Sequence, residues 1–216
     1  NTSSLAEWTA IGLADRATTW NSASPPTDGR YAADVIVSGT FGVLRSSLES
    51  SLELPLGVFD TLGQGTVVSG SAISQLIAVK AHKSVVFDFD FGIYNPSITD
   101  RFGFFSVSQQ LQPGVFFDSA VYVLANTDSG LKIPLHNSYP ETGYKTFSYT
   151  FDEAGVYLIG FGVARASNTL GQAAMLIDNV RVIPEPGTIA LVLGGFLGLG
   201  VTRRLKASYK PDDKGC

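Results

Sequence analysis

The stretch Val85-Val-Phe-Asp-Phe-Asp-Phe-Gly-Ile93 constrains the fold more than any other part of the chain. Val85, Phe87, Phe89, Phe91 and Ile93 alternate with Val86, Asp88, Asp90 and Gly92. A period of two sends successive side chains to opposite faces of a strand. The aromatic set is therefore expected in a core, and the Asp-bearing set mostly in solvent.

Further stretches rich in β-branched and aromatic residues predict strands over Arg30–Val37, Ala72–Val79, Phe102–Val107, Ala120–Leu124, Tyr144–Phe151, Val156–Val163 and Ala174–Val182. Turn-forming residues separate them, as at Asn95-Pro96, Pro113-Gly114, Asn126-Thr-Asp-Ser-Gly130 and Asp152-Glu-Ala-Gly155. Leu44, Leu48 and Leu52 recur every four residues and predict one short helix over Ser46–Glu53, which Pro55 ends. Gly63, Gly65 and Gly70 mark a loop. Residues 1–30 read as polar, with a turn from Pro25 to Gly29. Trp8 and Trp20 read as packing residues, and Trp20, if exposed, as a sugar platform. The expected fold class is all-β: an antiparallel, jelly-roll-like β-sandwich with one short helix.

Charge divides the chain unevenly. Before Pro184 there are 10 Lys and Arg against 16 Asp and Glu, and after Thr202 there are 5 against 2. An acidic domain of this kind argues against nucleic acid as a partner. The only cysteine is Cys216, so no disulfide can form within the chain. Removing the tail leaves about 183 residues, enough for one domain with a full core.

That tail has three parts. Pro184-Glu185-Pro186 fixes an extended backbone without two amide donors, a segment expected to stay out of sheets and to offer Glu185 to another protein. Ile189 to Val201 is apolar and uncharged, with Gly194, Gly195, Gly198 and Gly200, glycines that are frequent in membrane helices. It predicts a short C-terminal transmembrane helix, below the ~20 residues of a standard span. Arg203, Arg204 and Lys206 form a basic stop that stays on the cytoplasmic side. The expected organisation is an extracytoplasmic sandwich over residues 1–183, the signal over 184–206 and a polar cytoplasmic tail over 207–216.

In this order, the three parts resemble the PEP-CTERM sorting signal of exported bacterial proteins. The resemblance implies exosortase as partner, cleavage near Pro184-Glu185-Pro186, transient residence in the inner membrane, and a cell that makes extracellular polysaccharide. Unlike usual family tails, this chain runs on from Ala207 to Cys216. It opens on Asn1 without a signal peptide, so the expectation is either a leader already removed or a sequence truncated at its start. A plain C-terminal anchor with a proline-rich stalk is the alternative.

A second resemblance covers most of residues 1–183. Ser47-Leu-Glu49, Gly70-Ser-Ala-Ile-Ser-Gln75, the Phe87–Phe91 strand, Asp100 before Phe102, and Leu176-Ile-Asp-Asn-Val180 follow the order found in outer domains of PEP-CTERM proteins. Those domains look like carbohydrate-binding jelly rolls. The resemblance implies that Asp178 helps to hold a structural Ca²⁺, with Glu7 from the first strand as second ligand. Alternation with Leu176 and Val180 points Asp178 inward, where a carboxylate needs a cation or hydrogen-bond donors.

The sequence carries no catalytic constellation. Asp88 and Asp90 share a strand face, about 7 Å apart at Cα, and would be the only glycosidase-like pair. They read more simply as a solvated face. His82 and His136 show no zinc spacing, and no Gly-x-Ser-x-Gly, P-loop or dinucleotide fingerprint occurs. The sequence therefore predicts a non-enzymatic, exported surface or biofilm-matrix protein sorted by exosortase, with polysaccharide as a partner of its outer domain. The alternative is a secreted polysaccharide hydrolase on a plain membrane anchor.

Overall fold

The computed structural model describes residue 5 and residues 7–18, 25–39, 41–95, 99–132, 139–167 and 171–184. Two antiparallel sheets form a sandwich. The first sheet runs β1 (Thr9–Ile11), β5 (Ser69–Val79), β10 (Gly155–Arg165), β7 (Arg101–Gln112) and β8 (Val115–Asn126), and the short β4 (Val43–Leu44) also pairs with β5. The second runs β2 (Leu13–Ala17), β3 (Ala32–Val37), β11 (Ala173–Pro184), β6 (Lys83–Ile93) and β9 (Lys145–Phe151). The chain changes sheet at most connections, a jelly-roll-like winding.

The expected alternation in β6 holds on one face. Phe87, Phe89 and Phe91 enter the main core with Val35, Phe105, Phe161 and Met175. The Phe87 ring meets Phe161 edge-on at 4.6 Å between centroids, a favoured aromatic geometry. The other face departs from the expectation. Asp88 is buried, and Asp90 is fully buried at 0% exposure. Segments distant in sequence cover that face: Thr27 and Thr146 reach Asp88, and Thr142 reaches Asp90.

The helix α1 spans Arg45–Ser51, one residue earlier at its start than expected and two shorter at its end. Glu53 adopts a positive φ of 54°, outside helical geometry. Leu48 and Leu52 pack onto the outer face of the first sheet with Phe59, Phe102 and Phe104, whereas Leu44 stays exposed. Glu49 is buried because its Oε1 accepts the amides of Gly57 (2.9 Å) and Phe59 (3.4 Å), fixing the 3-10 turn over Val58–Leu62.

Three further elements differ from expectation. β1 and β2 lie in the stretch read as polar, because pairing to β5 and β3 supplies what local hydrophobicity lacks. Gly70 sits inside β5 rather than in a loop. A Cβ there would meet Leu48 Cδ2 at 2.6 Å and the Val163 carbonyl at 2.7 Å, so close packing under α1 demands glycine. Pro184 does join a sheet, as the last residue of β11 opposite Lys83. A terminal position tolerates the missing amide. Among the described residues no helix is long and apolar enough to cross a membrane. The expected transmembrane helix over 189–201 lies outside them, as do Glu185, Pro186, Arg203, Arg204, Lys206 and Trp20.

Candidate functional site

A cleft of about 470 Å³ opens along the β1/β2 edge of the sandwich. Ala33, Ile73 and Ile177 form part of its lining, three residues that belong to the core between the sheets. Trp8 lines it from the N-terminal segment and packs on Phe161 at 5.5 Å. The polar lining comes from Glu7, Arg16, Gln75, Asp28, Asp178 and Arg181.

Tyr31 orders one wall. The guanidinium of Arg16 stands 4.8 Å from the ring centroid, and that of Arg30 stands 5.5 Å away. Such cation–π contacts hold an otherwise free side chain in place. Among the described residues, neither Arg16 nor Arg181 has an ion-pair partner within 4.0 Å. Arg181 donates to the Asn179 carbonyl at 3.2 Å. The cleft therefore offers guanidinium and amide donors, the Glu7 and Asp28 carboxylates, and an apolar lining. It lies within the volume range typical of ligand sites.

Glu7 and Asp178 line this same cleft, so the fold brings the two expected metal residues to one place. Asp178, however, does not point between the sheets. Ala173, Met175 and Ile177 take that side, while Leu176 faces outward with Ala32 and Ala174. Asp178 follows Leu176 on the outer face, opposite Asp88 in the ladder. The inward expectation failed because Leu176, its alternation partner, itself lies on the outer face; the register shift between Asp178 and Arg181, with Asn179 at a φ of 53°, returns only Val180 to the core side.

The Asp178 carboxylate is supplied with donors. Oδ2 accepts the Asp28 amide at 2.8 Å and lies 3.1 Å from the Thr27 hydroxyl; Oδ1 accepts the Asn179 amide at 2.8 Å. Positive ends of N–H and O–H groups suit a bare carboxylate and leave little room for a cation. Among the described residues no group of three or more His, Cys, Asp or Glu side chains is set to hold a metal ion. This donor set does not fit calcium.

Asp88 is bound as tightly. Its Oδ1 accepts from Thr146 at 2.6 Å, and its Oδ2 accepts from Thr27 and from Asn179 Nδ2, each at 2.9 Å. Burial pushes its pKa up, but these bonds and the Arg181 charge outweigh it and hold the carboxyl below its ordinary value. Asp90 is wholly buried. A carboxylate held ionised cannot serve as a general acid, and one without exposure cannot reach a polymer. The pair is thus neither a solvated face nor a glycosidase site.

Asp34 and Tyr144 border this outer face. Asp34 lies opposite Asp15 and its pKa is pushed up to about 6, first by burial and then by the Asp15 charge. The Tyr144 hydroxyl is raised by burial and by the charges of Asp178, Asp90, Asp88 and Asp34. His82 is exposed in the turn before β6, and His136 lies outside the described residues.

The residues that sequence reasoning missed are Arg16, Tyr31, Gln75 and Arg181. Their only sequence signal is the adjacency of Arg30 and Tyr31 to the 25–29 turn.

Fold and site together define an antiparallel two-sheet β-sandwich with a polar, apolar-floored edge cleft. No protein-family model matches the chain, and no curated protein matches it. Solved structures do resemble it. One is a family 11 carbohydrate-binding module from Clostridium thermocellum in complex with a β-1,3-1,4-mixed-linked tetrasaccharide, at 11% identity and TM-score 0.43, covering 85% of this chain and 92% of that one. Another is a carbohydrate-binding module of Caldicellulosiruptor saccharolyticus in complex with mannohexaose, at 14% identity and TM-score 0.43, covering 84% and 91%. The enzymatically active domain of a bacteriophage tailspike protein also resembles it, at 17% identity and TM-score 0.38, covering 82% of this chain and 19% of that one.

Proposed function

We propose that this is a non-enzymatic, exported surface or matrix protein whose sandwich binds polysaccharide in the edge cleft. The observation that carries the binding is the cleft itself: an apolar floor beneath Arg16, Gln75 and Arg181 as donors and Glu7 and Asp28 as acceptors. Sugar hydroxyls are donors and acceptors at once, and their C–H faces are apolar, so this mixture matches them. In this reading Tyr31 holds Arg16 in its binding position.

The sorting half of the proposal rests on sequence order: Pro184-Glu185-Pro186, the apolar segment 189–201, then Arg203, Arg204 and Lys206. Exosortase is the implied partner and the inner membrane a transient one.

Isothermal titration of an immobilisation-free soluble polysaccharide panel, with a glycan array as a first screen, tests the binding. Arg16→Ala and Tyr31→Ala should each weaken binding at least tenfold without lowering the melting temperature, because both side chains lie at the rim. A panel with no binder defeats the cleft reading. The mass of the released protein tests the sorting: an exosortase deletion or Glu185→Gln should leave full-length chain in the inner-membrane fraction, and release in the deletion strain defeats it.

A further inference from the structure

The ladder registers gather several termini at one end of the sandwich. Pro184 and Phe151 both lie opposite Lys83, and Gly155 lies opposite Val79. The β7–β8 hairpin reaches past this end: Gln110 pairs with Val156 near the start of β10, and Gln112 and Val115 close the tip beyond it. Leu111 there is 58% exposed and Val115 52%, and Phe117 and Val182 are exposed nearby. Leu111 and Val115 thus stand exposed to solvent at the hairpin tip.

The chain itself identifies what lies against it. Only four residues separate Pro184 from Ile189. Five Cα steps span at most about 18 Å. The interfacial layer outside the hydrocarbon core is itself about 5–7 Å thick.

We infer that this end of the sandwich, led by Leu111 and Val115, rests on the outer surface of the lipid bilayer while the apolar tail is inserted. The inference rests on the proposed membrane residence of residues 189–201. With so short a tether, the sandwich end stays within about 11–13 Å of the headgroup surface, within reach of its projecting hairpin tip. Aliphatic side chains settle favourably at the headgroup–acyl boundary. Lys80 and Lys83 lie at this end, but Asp152 and Glu153 in the adjoining turn offset them, so the contact is apolar rather than electrostatic. The opposite end, where Phe41 is exposed beyond the end of β3, faces away, about 33 Å off along β6.

The test uses the full chain reconstituted in phosphatidylcholine vesicles containing a lipid-borne nitroxide quencher near the headgroup. Leu111→Trp and Phe41→Trp are compared, with the wild-type signal of Trp8 and Trp20 subtracted. Quenching of Leu111→Trp several-fold above Phe41→Trp, in protein that resists extraction by alkaline carbonate, is the expected result. Equal or absent quenching in carbonate-resistant protein overturns the inference and leaves the membrane reading standing. Extraction by carbonate overturns both. A second copy on this face would shift Leu111→Trp emission to the blue without quenching and reverse on dilution, which also overturns it.

Discussion

Asp178 lies directly opposite Asp88 in the ladder between β11 and β6, and the hydroxyl of Thr27 comes within 3.1 Å of the one and 2.9 Å of the other. Like charges placed opposite each other destabilise a sheet. Here the repulsion is offset by Asn179 Nδ2, Thr146 and the Asp28 and Asn179 amides. A turn some 60 residues before β6 thereby ties β6 to β11.

Thr27→Val should cost about 1.5–3 kcal/mol, the range for a hydrogen bond to a charged group, and Thr27→Ser should recover most of it. Urea denaturation at pH 7 measures both. Asp88 has a depressed folded pKa. Its contribution is present above the unfolded value near ~3.9 and is lost as pH falls through the folded one. The gap between wild type and Thr27→Val should therefore narrow below about pH 4.

Asp34 behaves in the opposite sense. Its folded pKa of about 6 lies above the ordinary carboxylate value of 3.8, so the native state holds the proton more firmly than the unfolded chain. Wild-type stability should fall as pH rises through that window. Asp34→Asn should then be the more stable protein at pH 7.5, by up to about 2–3 kcal/mol at 1.4 kcal/mol per pKa unit, and equal to wild type near pH 3.5. Melting curves across pH 3.5–7.5 check the sign; a variant less stable at pH 7.5 would contradict it.

Chelation tests the fit of calcium at Asp178. With its oxygens held by the Asp28 and Asn179 amides, the protein should melt at the same temperature in EDTA and in excess calcium. A melting temperature that rises with calcium, and no longer does so in Asp178→Asn, would establish the metal.

Gly162 lies in β10 beneath Phe104, and an added Cβ would also sit 2.6 Å from the Ser71 carbonyl. A ring can move; a ladder carbonyl can do so only by breaking the β5–β10 pairing. Gly162→Ala should cost about 1–3 kcal/mol or more, the range for overpacking a core. Thermal unfolding followed by circular dichroism measures it.

Much of the fold follows from local pattern. Alternation in Phe87, Phe89 and Phe91 is a property of neighbouring residues, and it assigns both the strand and the side that enters the core. The apolar period around Leu48 and Leu52 likewise finds α1 beside its sheet. Alternation says which residues share a face, but not what covers the other one. Asp88 and Asp90 read as solvated because the cover comes from Thr27, Thr142 and Thr146, which only folding brings near. Asp178 read as inward because Leu176 and Val180 were taken to share one face, whereas Leu176 packs in a second apolar cluster on the outer face and a bulge at Asn179 sends Val180 to the other side. β1 and β2 were illegible because their stability comes from partners in β5 and β3 rather than from their own hydrophobicity. The cleft as a whole is not legible in the sequence: Glu7, Arg16, Tyr31, Gln75 and Arg181 meet there from separate stretches. The sequence by itself determined most of the strands, the helix and the core-facing side of β6, since each is written in residues adjacent along the chain. Tertiary structure alone decided which carboxylates are buried, which hydroxyls satisfy them and where a ligand can enter, because burial and hydrogen bonding depend on segments that are neighbours only in space.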